Sequence, residues 1–160
     1  MNVFPHKNLL VKLRDDRATS LNELKRNTKQ SNKLISESTD KYFIGKIDDS
    51  GFEIITSKIG RGAVCVFEGE LQDSFGTVQI RIHRAFKVMF SIIMLMPIIG
   101  LGISIATQGI EKSIGIIIPL MIGILFIRFV FIELSFRFIS RTGLKKLTKI
   151  IGIKAIKELE

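Results

Sequence analysis

Apolar residues are concentrated in two long runs in the second half of the chain. The runs cover residues 88–106 and 113–132, and the short polar segment Thr107–Lys112 separates them. A helix of about 20 apolar residues crosses the roughly 30 Å hydrocarbon core of a bilayer. Since so short a connection makes two helices antiparallel neighbours, the pattern predicts a transmembrane helical hairpin at residues 85–134, with helices at about 88–106 and 113–132.

A different period precedes the hairpin. Between residues 41 and 84, apolar and polar positions alternate, as in Phe43-Ile-Gly-Lys-Ile47 and Thr77–Arg84, and turn-forming residues interrupt the alternation at 48–51 and 72–76. Alternation with period two indicates strands with one buried face. The segment therefore predicts a small four-stranded antiparallel β-meander.

One apolar face of a sheet needs a cover. Ser20 and Glu23 have the spacing of a capping box, which predicts a short N-terminal helix over Leu21–Ser31. Leu9–Leu13 is expected as a short strand at the sheet edge, and residues 32–40 as a linker. Residues 1–84 would then form a cytoplasmic α+β domain.

The tail, residues 135–160, mixes lysine with isoleucine and leucine. Helical spacing places apolar residues on one side up to Gly152 and on a rotated side after it, which predicts a basic amphipathic C-terminal helix in two pieces hinged at Gly152. We expect it in the membrane interface, with lysines toward anionic lipid. Packing on the sheet, or pairing with a partner, is the alternative.

The charge distribution sets the expected orientation. The net charge is +9, and basic residues crowd the outer ends of the apolar runs, whereas the 107–112 loop offers only Lys112. The positive-inside rule then places both termini in the cytoplasm of a multi-pass protein of the bacterial inner membrane. Binding to anionic lipid headgroups explains this excess of positive charge more simply than binding to nucleic acid does. The residues expected at the membrane surface are Arg84, Lys87, Arg128, Arg137, Arg141, Lys145, Lys146 and Lys149.

Small residues and prolines recur within the apolar runs. Small side chains let transmembrane helices approach closely, so we expect helix packing at Gly100, Ser104, Gly115, Pro119 and Gly123. Gly115 and Gly123 are predicted to face the first helix. Self-association into a homo-oligomer is the competing use of the same positions.

Residues suited to catalysis are scarce. The chain has two histidines, His6 and His83, and one cysteine, Cys65, which lies in an apolar alternating segment typical of a sheet core. No spacing indicates a nucleophile with a base, a metal site or a cofactor loop. We therefore expect no enzymatic activity and no catalytic, metal-binding or cofactor-binding residues.

Several motifs of the meander run directly into the hairpin. They are Phe43-x-Gly45-x-Ile47, Phe52-x-Ile54, Phe67-x-Gly69-x-Leu71 and Gly76-Thr77 with Arg81 and Arg84. In this order the chain resembles an uncharacterised family of small bacterial two-pass membrane proteins with an N-terminal cytoplasmic β domain. The resemblance covers about residues 40–130 and implies that architecture, but no activity.

Three functional hypotheses fit these patterns. The first is a non-enzymatic integral membrane protein whose cytoplasmic β domain binds or regulates an unknown protein partner and is anchored by the hairpin. The second is an accessory subunit of a transporter or channel, for which the apolar runs offer few polar groups. The third is an immunity-type small membrane protein.

Overall fold

The computed structural model describes residues 4–58 and 62–159. The chain divides into two compact units. The first, called the sheet unit here, takes the described residues up to His83 together with those from Phe136 onward. The second, the helical unit, covers Arg84–Ser135.

A seven-stranded sheet forms the sheet unit, in the order β2-β3-β4-β5-β6-β1-β7. Only β2 and β3 pair in parallel, and all other neighbours are antiparallel. The mixed α and β architecture is thus confirmed, but the sheet has seven strands where the alternation predicted a meander of four. The strands are β1 His6–Leu13, β2 Thr28–Gln30, β3 Phe43–Ile47, β4 Gly51–Thr56, β5 Cys65–Gln72, β6 Phe75–Ile82 and β7 Ile153–Leu159.

The core lies on one face of this sheet. Phe67 of β5 is fully buried, with Ile54 of β4 and Ile80 of β6 directly opposite it in the ladders. Its ring packs edge-on against Phe43, with 6.4 Å between ring centroids. On the other face, a smaller apolar cluster of β3, β4 and β5 is covered by Leu34 and Ala63. That covering role explains why the segment predicted as a linker contains a leucine.

Helical segments account for most of the remaining chain. They are α1 Arg17–Arg26, α2 Arg84–Gln108, α3 Ile110–Phe126 and α4 Glu133–Ile151, with a π-helical segment at Ile127–Ile132 and a 3₁₀ turn at Gly62–Val64. From Ile110 to Ile151 the helical backbone is continuous. Two of the long helices are strongly apolar, as the sequence pattern predicts.

Helix α1 differs from its prediction at both ends. Asp16 caps it, because its carboxylate accepts the Thr19 amide at 3.3 Å and the Thr19 hydroxyl at 2.6 Å. The Ser20 hydroxyl, predicted to cap, donates instead to the carbonyl of Ile151 at 3.0 Å. The helix ends at Arg26 because Thr28–Gln30 pairs with β3 as a strand.

The tail after the hairpin is also corrected. Helix α4 continues to Ile151, and Gly152, with φ +67°, turns the chain into the left-handed region that glycine enters without strain. The following residues do not form the second amphipathic helical piece. They form β7, because the backbone groups of β1 are free on that side and pair with Ile153–Leu159. Residue 160 lies outside the described part of the chain.

Candidate functional site

Two described helices are long and apolar enough to cross a bilayer, α2 and the continuous stretch Ile110–Ile151. Only 6% of the most apolar window of α2, and none of that of the second stretch, is buried. The core helix of a soluble protein can be as long and as apolar, but it is mostly buried. Met96 and Ile118 are extreme cases, with 65% and 70% of their surface accessible.

Within the helical unit, α2 contacts α3 through hydroxyl groups and contacts the π-helical segment that follows α3 through aromatic rings. Near the turn, the hydroxyl oxygens of Ser104 and Ser113 lie 3.0 Å apart, and the Ser113 hydroxyl also reaches the carbonyl of Gly109 at 2.9 Å. At the other end, Phe90 packs edge-on against Phe131, with 6.4 Å between centroids. Ser104 is therefore the predicted packing residue that lies at a helix contact.

The glycines predicted to pack have open surroundings. A Cβ built at Gly100, Gly115 or Gly123 meets no atom within 4 Å, and Pro119 is exposed. The predicted approach of Gly115 and Gly123 to the first helix is therefore absent from the structure.

Arg128 lies in the π-helical segment. Its guanidinium is 3.9 Å from the carboxylate of Glu133 and stacks over the ring of Phe129, 5.3 Å from the centroid. Of the other predicted surface residues in this unit, Arg84 begins α2 and is exposed, and Lys87 follows one turn later, partly covered. π-helical turns interrupt the regular hydrogen-bond ladder and are frequent at functional positions.

The remaining predicted surface residues lie on α4, in the sheet unit. Arg137, Arg141, Lys145 and Lys149 recur every four residues and are all exposed, so they form one continuous line, called the basic ladder here. The opposite side of α4 is buried and contains Phe136, Ser140, Gly143, Leu147 and Ile151. The helix is thus amphipathic as predicted, but its apolar side packs within the sheet unit.

At Gly143, helix α4 lies very close to the side chain of Phe67 in β5. A Cβ built there would lie 2.2 Å from the Cζ of Phe67. Sequence reasoning missed this glycine, since it placed the helix at the membrane interface and saw no reason for a small residue. A glycine within a strongly amphipathic helix, in line with its buried positions, was the available signal.

A shallow apolar groove opens beside Gly143. Its lining includes Phe138, Ile139 and Thr142 of α4, and Thr56 and Lys58 at the end of β4. Lys146, also at the groove, holds its ammonium 4.4 Å from the centroid of the Tyr42 ring. Lys146 is not part of the basic ladder and has an aromatic partner within the sheet unit, since a cation over an aromatic face is favourable.

The exposed face of the sheet carries a charged network. Arg81 bonds Glu53 at 2.8 Å and Glu68 at 3.1 Å. His83, two residues further on, has its pKa lowered by partial burial and then by the charge of Arg81. Both effects favour the neutral imidazole over the charged form. Beyond the network, Gln79 donates to Asn8 at 3.0 Å.

Cys65 is enclosed in β5, and burial raises its pKa to about 12. A thiol that stays protonated is a poor nucleophile. Among the residues that the structure describes, no three His, Cys, Asp or Glu side chains are grouped to hold a metal ion. In comparisons with known proteins, no family model, curated protein or solved structure matches the chain.

Proposed function

We propose that the protein is a non-enzymatic integral protein of the cytoplasmic membrane, in which the helical unit anchors a cytoplasmic sheet unit that binds or regulates a protein partner. The observation that carries the anchoring role is the exposure of apolar side chains along α2 and α3. Contiguous apolar surface of this extent is rare on a soluble monomer, whereas lipid covers it without cost.

The orientation follows from charge. Arg84 and Lys87 begin α2, and the basic ladder follows the second apolar stretch, while Glu111 and Lys112 cancel near the turn. Basic residues flanking transmembrane helices stay in the cytoplasm. Both termini of the hairpin are thus cytoplasmic, and the basic ladder has the charge to attract anionic lipid headgroups.

Alkaline extraction followed by topology mapping tests the anchor. The full chain should stay in the membrane pellet. A phosphatase reporter that is active only outside the cytoplasm should be active after Gln108 and inactive after Glu160. Adding three lysines to the 107–112 loop should lower the activity of the Gln108 fusion, whereas three glutamates in the same place should leave it unchanged. Release by alkali, or an active fusion at Glu160, would contradict the proposal.

The partner-binding role rests on the exposed sheet face, where Glu68 and Glu70 line a shallow depression with Thr77 and Gln79. Mild-detergent purification should recover a stoichiometric protein with the wild-type chain and lose it with Glu68→Lys/Glu70→Lys. Asp73→Lys is the control for a charge reversal outside the depression, because it makes half of that charge change in the turn after β5. Recovery of lipid alone would count against this role.

A second candidate, an accessory subunit of a transporter or channel, is favoured by one observation. Arg128 and Glu133 form an ion pair at the π-helical segment, and charged groups near a transmembrane helix are costly unless they serve a purpose. If this role holds, Arg128→Gln should abolish recovery of a membrane-embedded partner, while Arg137→Gln on the basic ladder should preserve it.

A further inference from the structure

The two edges of the sheet differ in length and in protection. At one edge β2 has only three residues, whereas at the other β7 has seven, and all but its first residue are exposed. An edge strand presents unpaired N–H and C=O groups that can pair with another strand. Ile156 and Leu159 are 43% and 42% accessible, so this edge strand also exposes two large apolar side chains.

Two features of β7 oppose unspecific pairing. Lys154 and Lys157 place positive charge on the edge, and the register with β1 shifts next to Lys154, because Ala155 pairs with Lys12 while Ile153 pairs with Leu13. Lysines and bulges are the devices by which proteins keep edge strands apart. A partner strand must therefore offer acidic side chains at matching positions.

A second copy of β7 offers them. In an antiparallel pair related by a twofold axis through Ile156, all seven residues overlap, Lys154 of each copy lies opposite Glu158 of the other, and the two Ile156 side chains meet. An axis through Lys157 would instead oppose two lysines, and one through Ala155 would leave Lys154 opposite Ile156. The sequence Ile-Lys-Ala-Ile-Lys-Glu-Leu is thus self-complementary in one register.

Glu158 can take on this role without losing its present contact. Its carboxylate is 3.0 Å from the ammonium of Lys7 on β1 and is 59% exposed. A carboxylate accepts from two lysines, because it has about four lone-pair sites. The incoming Lys154 would approach from the open side of the strand.

We infer that β7 pairs with β7 of a second copy of this chain, in the register that places Lys154 opposite Glu158 of the partner and joins the two sheets across the edge. One strand pair buries less surface than a standard stable interface, so the dimer is weak in dilute detergent. Confinement of both copies to one bilayer raises their effective concentration. This inference goes beyond the proposed function and does not depend on any other partner.

Cysteine crosslinking of the full chain in membranes tests the pairing. Ile156→Cys should give a dimer with a short bis-maleimide, because the two side chains lie on the axis about 5 Å apart. Native Cys65 does not interfere, since it is buried. Asn22→Cys, exposed on α1, is the control for random collision. Equal crosslinking at both positions would overturn the inference.

Charge reversal separates specific pairing from a general edge contact. In the Ile156→Cys background, Lys154→Glu or Glu158→Lys alone should weaken dimerisation roughly tenfold or more, since each change creates two like-charge pairs across the axis. The double reversal should restore it. Lys157→Glu, opposite Ala155 in this register, should have little effect. Unchanged crosslinking in either single variant, or no recovery in the double variant, would refute the assigned register.

Discussion

The approach of α4 to the sheet at Gly143 makes a quantitative prediction. In the variant Gly143→Ala, the new methyl group would lie 2.2 Å from the Cζ of Phe67 and 2.7 Å from one Cε. Ordinary contact begins at 3.4 Å, so the ring and the helix must separate by more than an ångström. The ring cannot swing aside freely, because Phe67 is fully buried and packs against Phe43.

Two opposing effects determine how much Gly143→Ala changes the free energy of unfolding. Overpacking a tight core costs about 1–3 kcal/mol, and the size of the overlap favours the upper end. Replacing glycine by alanine inside a helix stabilises the helix by about 1 kcal/mol. The net loss of stability in the sheet unit is therefore about 2 kcal/mol, which corresponds to roughly a 30-fold larger unfolded population.

Cys65 provides the assay, because it is the single cysteine of the chain and is fully buried in β5. Its labelling by a thiol reagent under native conditions requires the sheet unit to open, so the labelling rate follows the population of the open form. We expect about 30-fold faster labelling in Gly143→Ala than in the wild type.

Two control variants test whether the overlap with Phe67 causes the loss of stability. Gly115→Ala makes the same substitution in an apolar helix where the new Cβ has no neighbour within 4 Å, and should leave the rate unchanged. Adding Phe67→Leu shortens the opposing side chain, so Gly143→Ala should cost less in that background than alone. Equal costs in both backgrounds would refute the overlap argument and leave the glycine without a packing role.

Three further predictions concern the ends of helices in the sheet unit. Gly152→Ala should destabilise it by about 1–2 kcal/mol, since φ is +67° there, and Gly152→Asn by less, as measured by Cys65 labelling. A chain ended after Gly152 should label roughly tenfold faster or more, because it loses the β1–β7 ladder, whereas an unchanged rate would favour a tail independent of the sheet. The pKa of Asp16 is lowered by hydrogen bonds from the Thr19 hydroxyl and then from the Thr19 amide. The Asp16 carboxylate therefore stabilises the fold above its ordinary pKa of about 3.9, and this contribution is lost as the pH falls through the lower pKa of the folded state. The thermal unfolding temperature of Asp16→Asn should accordingly fall less on acidification than that of the wild type.

The central strands were predictable from the sequence because their pattern admits one interpretation. In β6, Val78, Ile80 and Ile82 alternate with polar residues, and the preceding turn is marked by Asp73 and Gly76. Such a run satisfies the strand period and fails the helical one. The apolar helices were equally clear, since their length and lack of charge suit few other structures.

The short strand β2 could not be predicted in the same way. Thr28–Gln30 follows α1 after one residue and has no apolar alternation, since only Thr28 is buried. Its position is fixed by backbone bonds to β3, which are insensitive to side-chain identity. The candidate functional residues show the same limit, because Arg81 is an unremarkable polar strand residue until the ladders bring Glu53 and Glu68 beside it.

The tail shows how one sequence can satisfy two periods. In Ile153–Leu159, apolar residues at 153, 156 and 159 suit a helix, while the same seven residues contain two lysines and a glutamate that a solvent-exposed strand also tolerates. Local propensity does not decide between these structures. The segment becomes a strand because the outer edge of β1 offers backbone hydrogen-bonding groups that it can pair with. A helix at the membrane interface would leave those groups of β1 to water. Long-range pairing thus determines the conformation of the segment, and it is the same edge geometry that makes β7 available to a second copy.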